Sequence, residues 1–160
     1  HQESLSKNIR TVAGVEESFD ITVGRAHIRG NVDRIEVDSE GRHFIIDFKT
    51  GKKEITGEDA KTNLQLACYQ LGVALDGFTN KLSTTAVSGA QLVYLASKNK
   101  SYSTREQDGL IDIEGLSTEL SDIASGMGDA TFTARKSELC KQCRVKPSCP
   151  LYLEGKAVHQ

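Results

Sequence analysis

Tryptophan is absent from this chain, proline occurs only at Pro147 and Pro150, and no apolar run approaches the roughly 20 residues that cross a bilayer. The start carries no basic-then-apolar secretion signal. These absences exclude a helical membrane span and give no reason to read the cysteines as an extracellular disulfide framework. A surplus of one charge is missing too: 20 lysines and arginines stand against 22 aspartates and glutamates, a formal net charge of −2. That argues against holding nucleic acid through bulk positive charge, but leaves room for a local basic channel. There is no internal repeat and no low-complexity tract. What remains is 160 residues of moderately apolar sequence, enough for one domain with a real core. His1 opens the chain without an initiator methionine, which suggests an excised C-terminal piece of a longer polypeptide, a processed small protein being the alternative.

Periodicity organises the first half. Glu3–Ala13 reads as a short helix or a frayed arm, Val15–Val23 as a strand, and Gly24-Arg25 as a turn. Ala26–Val37 is a long strand, with Ile28, Gly30 and Val32 expected on one face and Asp33, Ile35 and Val37 on the other. His43–Thr50 is a third strand whose Phe44-Ile45-Ile46 run suggests burial on both faces. After Gly51-Lys52-Lys53, Thr56 and Asp59 have capping-box spacing for one helix ending near Gly77 and Asn80. Leu64, Ala67, Cys68, Leu71, Ala74 and Leu75 form its expected buried stripe. Gly89–Ala96 holds a fourth strand, and Asn99–Gly109 is a polar loop or a hairpin with a fifth. Leu116–Ile123 is a further helix closed by Gly126-Met127-Gly128. This order predicts an α/β fold with a mixed sheet flanked by helices.

The chemistry concentrates in Gly30-Asn31-Val32-Asp33-Arg34 and Asp47-Phe48-Lys49-Thr50-Gly51, with Asp47 fourteen residues after Asp33. A three-residue turn Ser39-Glu40-Gly41, with glycine in the left-handed position, pairs Asp38 with Arg42 and so sets Asp33 opposite Asp47. Opposed carboxylates roughly 5 Å apart repel, and a divalent cation between them removes the repulsion. Period-2 alternation adds Lys49 to the face of Asp47. Two carboxylates and a lysine on one face suit metal-dependent phosphodiester cleavage. Each also has a bland reading: two unrelated acids on a solvated strand, and a lysine whose stem lies along the sheet.

Together with Gln65-x-x-x-Tyr69, these segments resemble the RecB-type branch of the PD-(D/E)XK nuclease superfamily, and Cys140-x2-Cys143-x5-Cys149-Pro150 resembles the iron–sulfur clasp of some members, the AddB- and AdnB-type helicase–nucleases. The resemblance spans Gly30 to Pro150. It implies a restriction-endonuclease-like α/β/α core over residues 1–134 and a cysteine-bearing tail over 135–160. It implies that Asp33, Asp47 and the backbone carbonyl of Phe48 hold Mg²⁺ or Mn²⁺, that Lys49 is the catalytic lysine, and that Gln65 and Tyr69 position DNA. A further ligand often precedes the first aspartate in the family; here Glu16 or Glu17, ahead of Phe19–Val23, could approach the metal, and His27 is the other nearby option. Lys52 and Lys53 could contact phosphates or simply be solvated.

By the same resemblance Cys140, Cys143 and Cys149 are three ligands of a 4Fe–4S cluster whose fourth thiol lies outside this chain, Cys68 reading instead as a buried free cysteine. Zinc completed by His159 or water is the chemical competitor. The implied whole is a deoxyribonuclease domain of a bacterial cytoplasmic helicase–nuclease. It would act on single-stranded DNA in end processing and recombinational repair, with a motor in the same polypeptide, a possible second subunit and no membrane. The alternatives are a catalytically silent nuclease-fold scaffold and a free-standing endonuclease.

Overall fold

The computed structural model describes residues 9–79, 81–96, 102–129 and 134–152. Five strands form one sheet in sequence order: β1 Thr11–Val23, β2 Ala26–Val37, β3 His43–Lys49, β4 Val87–Tyr94 and β5 Ser103–Asp108. Neighbours are antiparallel except β3 and β4, which run parallel. A parallel step needs a crossover, here made by α1 (Gly57–Lys61) and α2 (Leu64–Ala74). α3 (Ile113–Gly128) and two 3-10 turns, Glu138–Gln142 and Lys146–Ser148, follow. The expected α/β class, a mixed sheet with flanking helices in a restriction-endonuclease-like arrangement, is what the chain forms. Two compact units divide it, His1–Ile123 with the sheet and Ala124–Gln160 with the 3-10 turns.

The β2–β3 hairpin keeps the register its turn dictates. The Asp38 N–H donates to the Arg42 carbonyl and the Gly41 N–H to the Asp38 carbonyl, both at 3.0 Å, with Gly41 at φ 77°. Pairing runs from Val37↔His43 to Arg34↔Ile46 and ends there, one step before Asp33 and Asp47.

Strict alternation along β2 does not hold. Val32 and Ile35, three residues apart and expected on opposite faces, are both fully buried at 0% exposure. On the partner strand Gly14 and Glu17 likewise crowd each other, since a Cβ on Gly14 would lie 2.7 Å from Glu17 Cγ. They pair with Ile35 and Val32 respectively, and Glu16 between them has φ 52°. The β1–β2 ladder skips Glu16 and Asp33 between Val15↔Arg34 and Glu17↔Val32 without a change of register, so both pleats slip in phase where Asp33 lies, while the register itself shifts between Val12 and Gly14. Such irregularities re-aim a side chain that regular pleating would fix.

Further expectations need correction. Of the N-terminal arm, residues 3–8 lie outside the described residues, but Thr11–Ala13 are strand, paired to the end of β2. The crossover is two helices. Thr56 and Asp59 form the expected capping box, but α1 stops at Lys61 and Asn63 caps a new helix by accepting from Leu66 N–H at 3.0 Å. Asn and Thr bond locally instead of propagating a helix, and here that competition wins. The buried face of α2 also differs: Leu66, Tyr69, Gln70, Leu71, Gly72 and Val73 are buried, whereas Leu64 and Leu75 are about 40% exposed at 41% and 40%, and Cys68 is half-buried.

Gly72 explains that rotation. A Cβ there would lie 2.8 Å from the Phe19 ring, so the missing side chain lets α2 settle onto β1. Phe19 then meets Tyr69 edge-on at 5.9 Å between centroids. Each fully buried side chain in this layer, Leu66 and Leu71 among them, contributes on the order of 1.5–3 kcal/mol. The final helix begins earlier than expected and runs through Gly126-Met127-Gly128, with Leu116 and Leu120, one turn apart, as its buried pair.

Candidate active site

β3 presents Asp47 and Lys49 to α2, and α2 answers with Gln65 and Tyr69, one turn apart on its surface. Asp47 is only 5% exposed. Its Oδ1 is approached by Tyr69 Oη and Gln65 Nε2, each at 3.3 Å. Gln65 Nε2 also donates to Tyr69 Oη at 2.8 Å, and Gln65 Oε1 accepts from Lys49 Nζ at 3.0 Å. Lys49 Nζ lies 2.7 Å from Asp47 Oδ2, close enough for an ion pair. Its alignment does not make a hydrogen bond, so Oδ2 is a buried carboxylate oxygen without one. Burial is the main reason the Tyr69 hydroxyl is held above the usual phenol range; the Asp47 and Asp33 charges add to this and the Gln65 hydrogen bond opposes it. Tyr69 therefore stays protonated, a donor beside two carboxylates.

Asp33 reaches the same place from the slip in β2. Its Oδ2 accepts the Phe48 N–H at 2.7 Å, a bond that anchors the carboxylate where backbone pairing has ended. Asp33, Asp47, Lys49, Gln65 and Tyr69 are thus brought together, with the Phe48 backbone between the two β3 side chains. An oxygen-only set of two carboxylates and an available peptide carbonyl suits a hard divalent cation that keeps several waters. The unbonded Oδ2 of Asp47 is a donor such an ion would satisfy. The residues fit Mg²⁺ or Mn²⁺.

Neither Glu16 nor Glu17 gathers with Asp33 and Asp47 among the described residues. The Glu17 carboxylate is committed to Lys81, and Glu16 is exposed at the strained position of β1. His27 pairs with Asp20 at 2.7 Å near the other end of its strand. Among the described residues no three His, Cys, Asp or Glu side chains gather as a metal cage, either here or in the tail. The tail cysteines are thus not gathered as a ligand set among the described residues. Cys140, Cys143 and Cys149 are free thiols, and Cys140 Sγ accepts the Ser137 N–H at 3.2 Å, which lowers its thiol below the usual range. His159 lies outside the described residues.

One supporting group escaped sequence reasoning. Gln107 on β5 is buried, and its Nε2 lies 3.1 Å from each of the carbonyls of Ala60, Lys61 and Asn63, which share its two hydrogens across the α1–α2 break. Its Oε1 accepts from Gln70 Nε2 at 2.9 Å, and Gln70 Oε1 accepts from Leu110 N–H at 2.8 Å. This pair fixes the start of α2 and hence Gln65. Lys52 and Lys53 are exposed on a loop pinned by Arg105, which bonds the Ile55 carbonyl at 2.8 Å and Glu54 at 2.9 Å.

Two clefts, of about 510 and 550 Å³, lie elsewhere and include none of the five site residues. The site is not one of these two cavities.

The family model of the PD-(D/E)XK nuclease superfamily matches residues 1–150. No curated protein matches the chain. Among solved structures, the one titled "Crystal structure of SSO0001" is similar over 95% of this chain and 66% of its own, at 19% identity and a TM-score of 0.45. The chain spans just under two thirds of that structure's length.

Proposed function

Since the chain belongs to the PD-(D/E)XK nuclease superfamily, we propose that it is the deoxyribonuclease domain of a bacterial helicase–nuclease, cutting single-stranded DNA with Mg²⁺ or Mn²⁺. End processing before recombinational repair, a motor in the same polypeptide, a second subunit and the cytoplasm complete this reading. The observation that carries it is Asp47 held almost fully buried, one oxygen without a hydrogen bond, in contact with Lys49 and bracketed by Gln65 and Tyr69. A solvated strand face does not bury a carboxylate in this way.

A bound divalent cation supplies Lewis-acid polarisation of the phosphate and a water acidic enough to attack it. The chain does the rest. Asp47 and Asp33 hold their oxygens convergent, Asp33 through Phe48 N–H and Asp47 through Tyr69 and Gln65. Lys49, steered by Gln65, places its ammonium where charge accumulates on the phosphorus oxygens. The tail enters by spacing alone: Cys140, Cys143 and Cys149 would give three ligands to a cluster completed elsewhere in the full protein.

Cleavage of labelled single-stranded DNA in Mn²⁺ tests the reading. Asp47→Ala and Lys49→Ala should each lose about 10²–10³ in rate or more, with the fold intact by circular dichroism. Equal cleavage by both variants would leave a scaffold.

A further inference from the structure

Lys49 has two partners that pull differently. Gln65 Oε1 takes a hydrogen bond from Nζ at 3.0 Å, whereas Asp47 Oδ2 attracts the ammonium to 2.7 Å with no aligned hydrogen bond. The contact with Asp47 is one of charge, and the directional bond is to Gln65. Exposure differs in the same sense: the lysine side chain is 31% exposed and the aspartate 7%, so the lysine has room to move off and the carboxylate does not.

A divalent cation binds carboxylate oxygen at roughly 2.1 Å. Bound to Oδ2, it would lie within about 5 Å of an ammonium in its present position, at the wall of a largely buried site where like charges are poorly screened. Both cations cannot keep that oxygen at full strength.

We propose that Lys49 is the resident counter-ion of Asp47 and competes directly with the divalent cation for Oδ2, swinging away on its Gln65 tether when metal binds. The inference rests on the metal reading above and adds a regulatory property to it. Metal affinity is set by the difference between two counter-ions, so removing the lysine charge tightens metal binding even as it removes catalysis. Gln65 keeps the displaced ammonium beside the carboxylates, where catalysis needs it.

Calorimetric titration with Mn²⁺, together with melting curves in EDTA and in Mn²⁺, decides the matter for wild type, Lys49→Met, Lys49→Arg and Asp47→Asn. Lys49→Met should bind Mn²⁺ at least about tenfold tighter than wild type, melt lower in EDTA, and gain more melting temperature from Mn²⁺. Lys49→Arg, which keeps the charge, should stay near wild type. If Lys49→Met does not fold in EDTA, folding on Mn²⁺ addition supports the proposal, and Lys49→Gln carries the titration. Equal or weaker Mn²⁺ binding by both neutral variants, beside a wild type whose binding is lost in Asp47→Asn, overturns competition and leaves the metal site standing. A wild type that binds no Mn²⁺ removes the metal reading, and this inference with it.

Discussion

Replacing Gln107 by methionine separates the scaffold of the site from its chemistry. Gln107 is 8% exposed and Gln70 fully buried at 0%. Methionine keeps the length and bulk of glutamine but donates nothing. It would take the side-chain donor from the carbonyls of Ala60, Lys61 and Asn63, of which Ala60 and Asn63 still accept the Asn63 and Ala67 N–H groups, and would remove the acceptor for the Gln70 amide that now reaches Gln107. Gln70 keeps its bonds to the Asp108 carbonyl at 3.1 Å and to Leu110 N–H, so it is not fully orphaned. One neutral hydrogen bond is worth about 1 kcal/mol net and a buried group left unpaired costs about 1–3 kcal/mol, so Gln107→Met should destabilise by about 2–4 kcal/mol. Urea unfolding measures this. Because the carbonyls hold the start of α2, cleavage should fall in parallel as Gln65 loses its position. A Gln70→Met/Gln107→Met double variant removes the mutual donor and acceptor together and should recover at least about 1 kcal/mol relative to additivity. A single-variant loss below about 0.5 kcal/mol, or strict additivity, would refute the buried-amide account of the α1–α2 corner.

Other consequences concern the core and the tail. Both ring nitrogens of His43 are buried without side-chain partners, and burial holds its imidazole below the ordinary histidine range, against the opposing effects of the Ala86 backbone and the Asp38 charge. The unfolded chain takes up a proton near pH 6.5 that the native state resists, so stability should be full above that pH and decline as pH falls below it. Urea midpoints between pH 7.5 and 5 should show that decline, and His43→Leu should flatten it. Gly72→Ala would drive a methyl into the Phe19 ring at 2.8 Å, destabilising the fold by about 1–3 kcal/mol and lowering cleavage by lifting α2 from Asp47; an unchanged melting temperature would show that α2 does not depend on that approach. The proposed cluster requires that anaerobic purification of a protein containing this chain and the missing ligand yield iron and sulfide, lost on Cys143→Ser, whereas stoichiometric zinc without iron would make the tail a zinc knot.

The hairpin was legible because its register depends on local chemistry. Asp38 accepts the N–H groups of Glu40 and Arg42, Gly41 takes positive φ, and two-residue periodicity carries that register to the site. Asp47, Lys49, Gln65 and Tyr69 come together for the same reason: strand and helix periods are short-range. What escaped was decided at a distance. The slip that re-aims Asp33 spans two strands, and nothing about glutamate at position 16 announces a φ of 52°. The face of α2 was misread because its sequence is apolar nearly all round. A stripe drawn through Leu64 and Leu75 competes with one through Leu66, Tyr69 and Val73, and Gly72 meeting Phe19 decides between them. The break at Asn63 carried a capping signal within the sequence, although the Gln107 side chain that bridges it comes from a strand more than forty residues later.

Asp33 and Asp47 illustrate how the two kinds of information combine. Extrapolated register would set them face to face, a repulsive pair needing an outside charge. The folded chain instead gives each carboxylate its own partial remedy before any cation arrives: Phe48 N–H for Asp33, and Lys49 with Tyr69 and Gln65 for Asp47. That arrangement lets one buried and one half-buried acid persist in a stable fold while leaving Asp47 Oδ2 without a hydrogen bond. The order of sensitivity follows from it. Asp33→Asn retains an acceptor for Phe48 N–H and should leave the melting temperature within a few degrees of wild type while weakening Mn²⁺ binding. Asp33→Leu loses that acceptor as well and should destabilise by a further 1–2 kcal/mol or so. Equal melting of the two variants would mean that the Phe48 contact contributes nothing to stability, and that Asp33 owes its position to the strand slip alone.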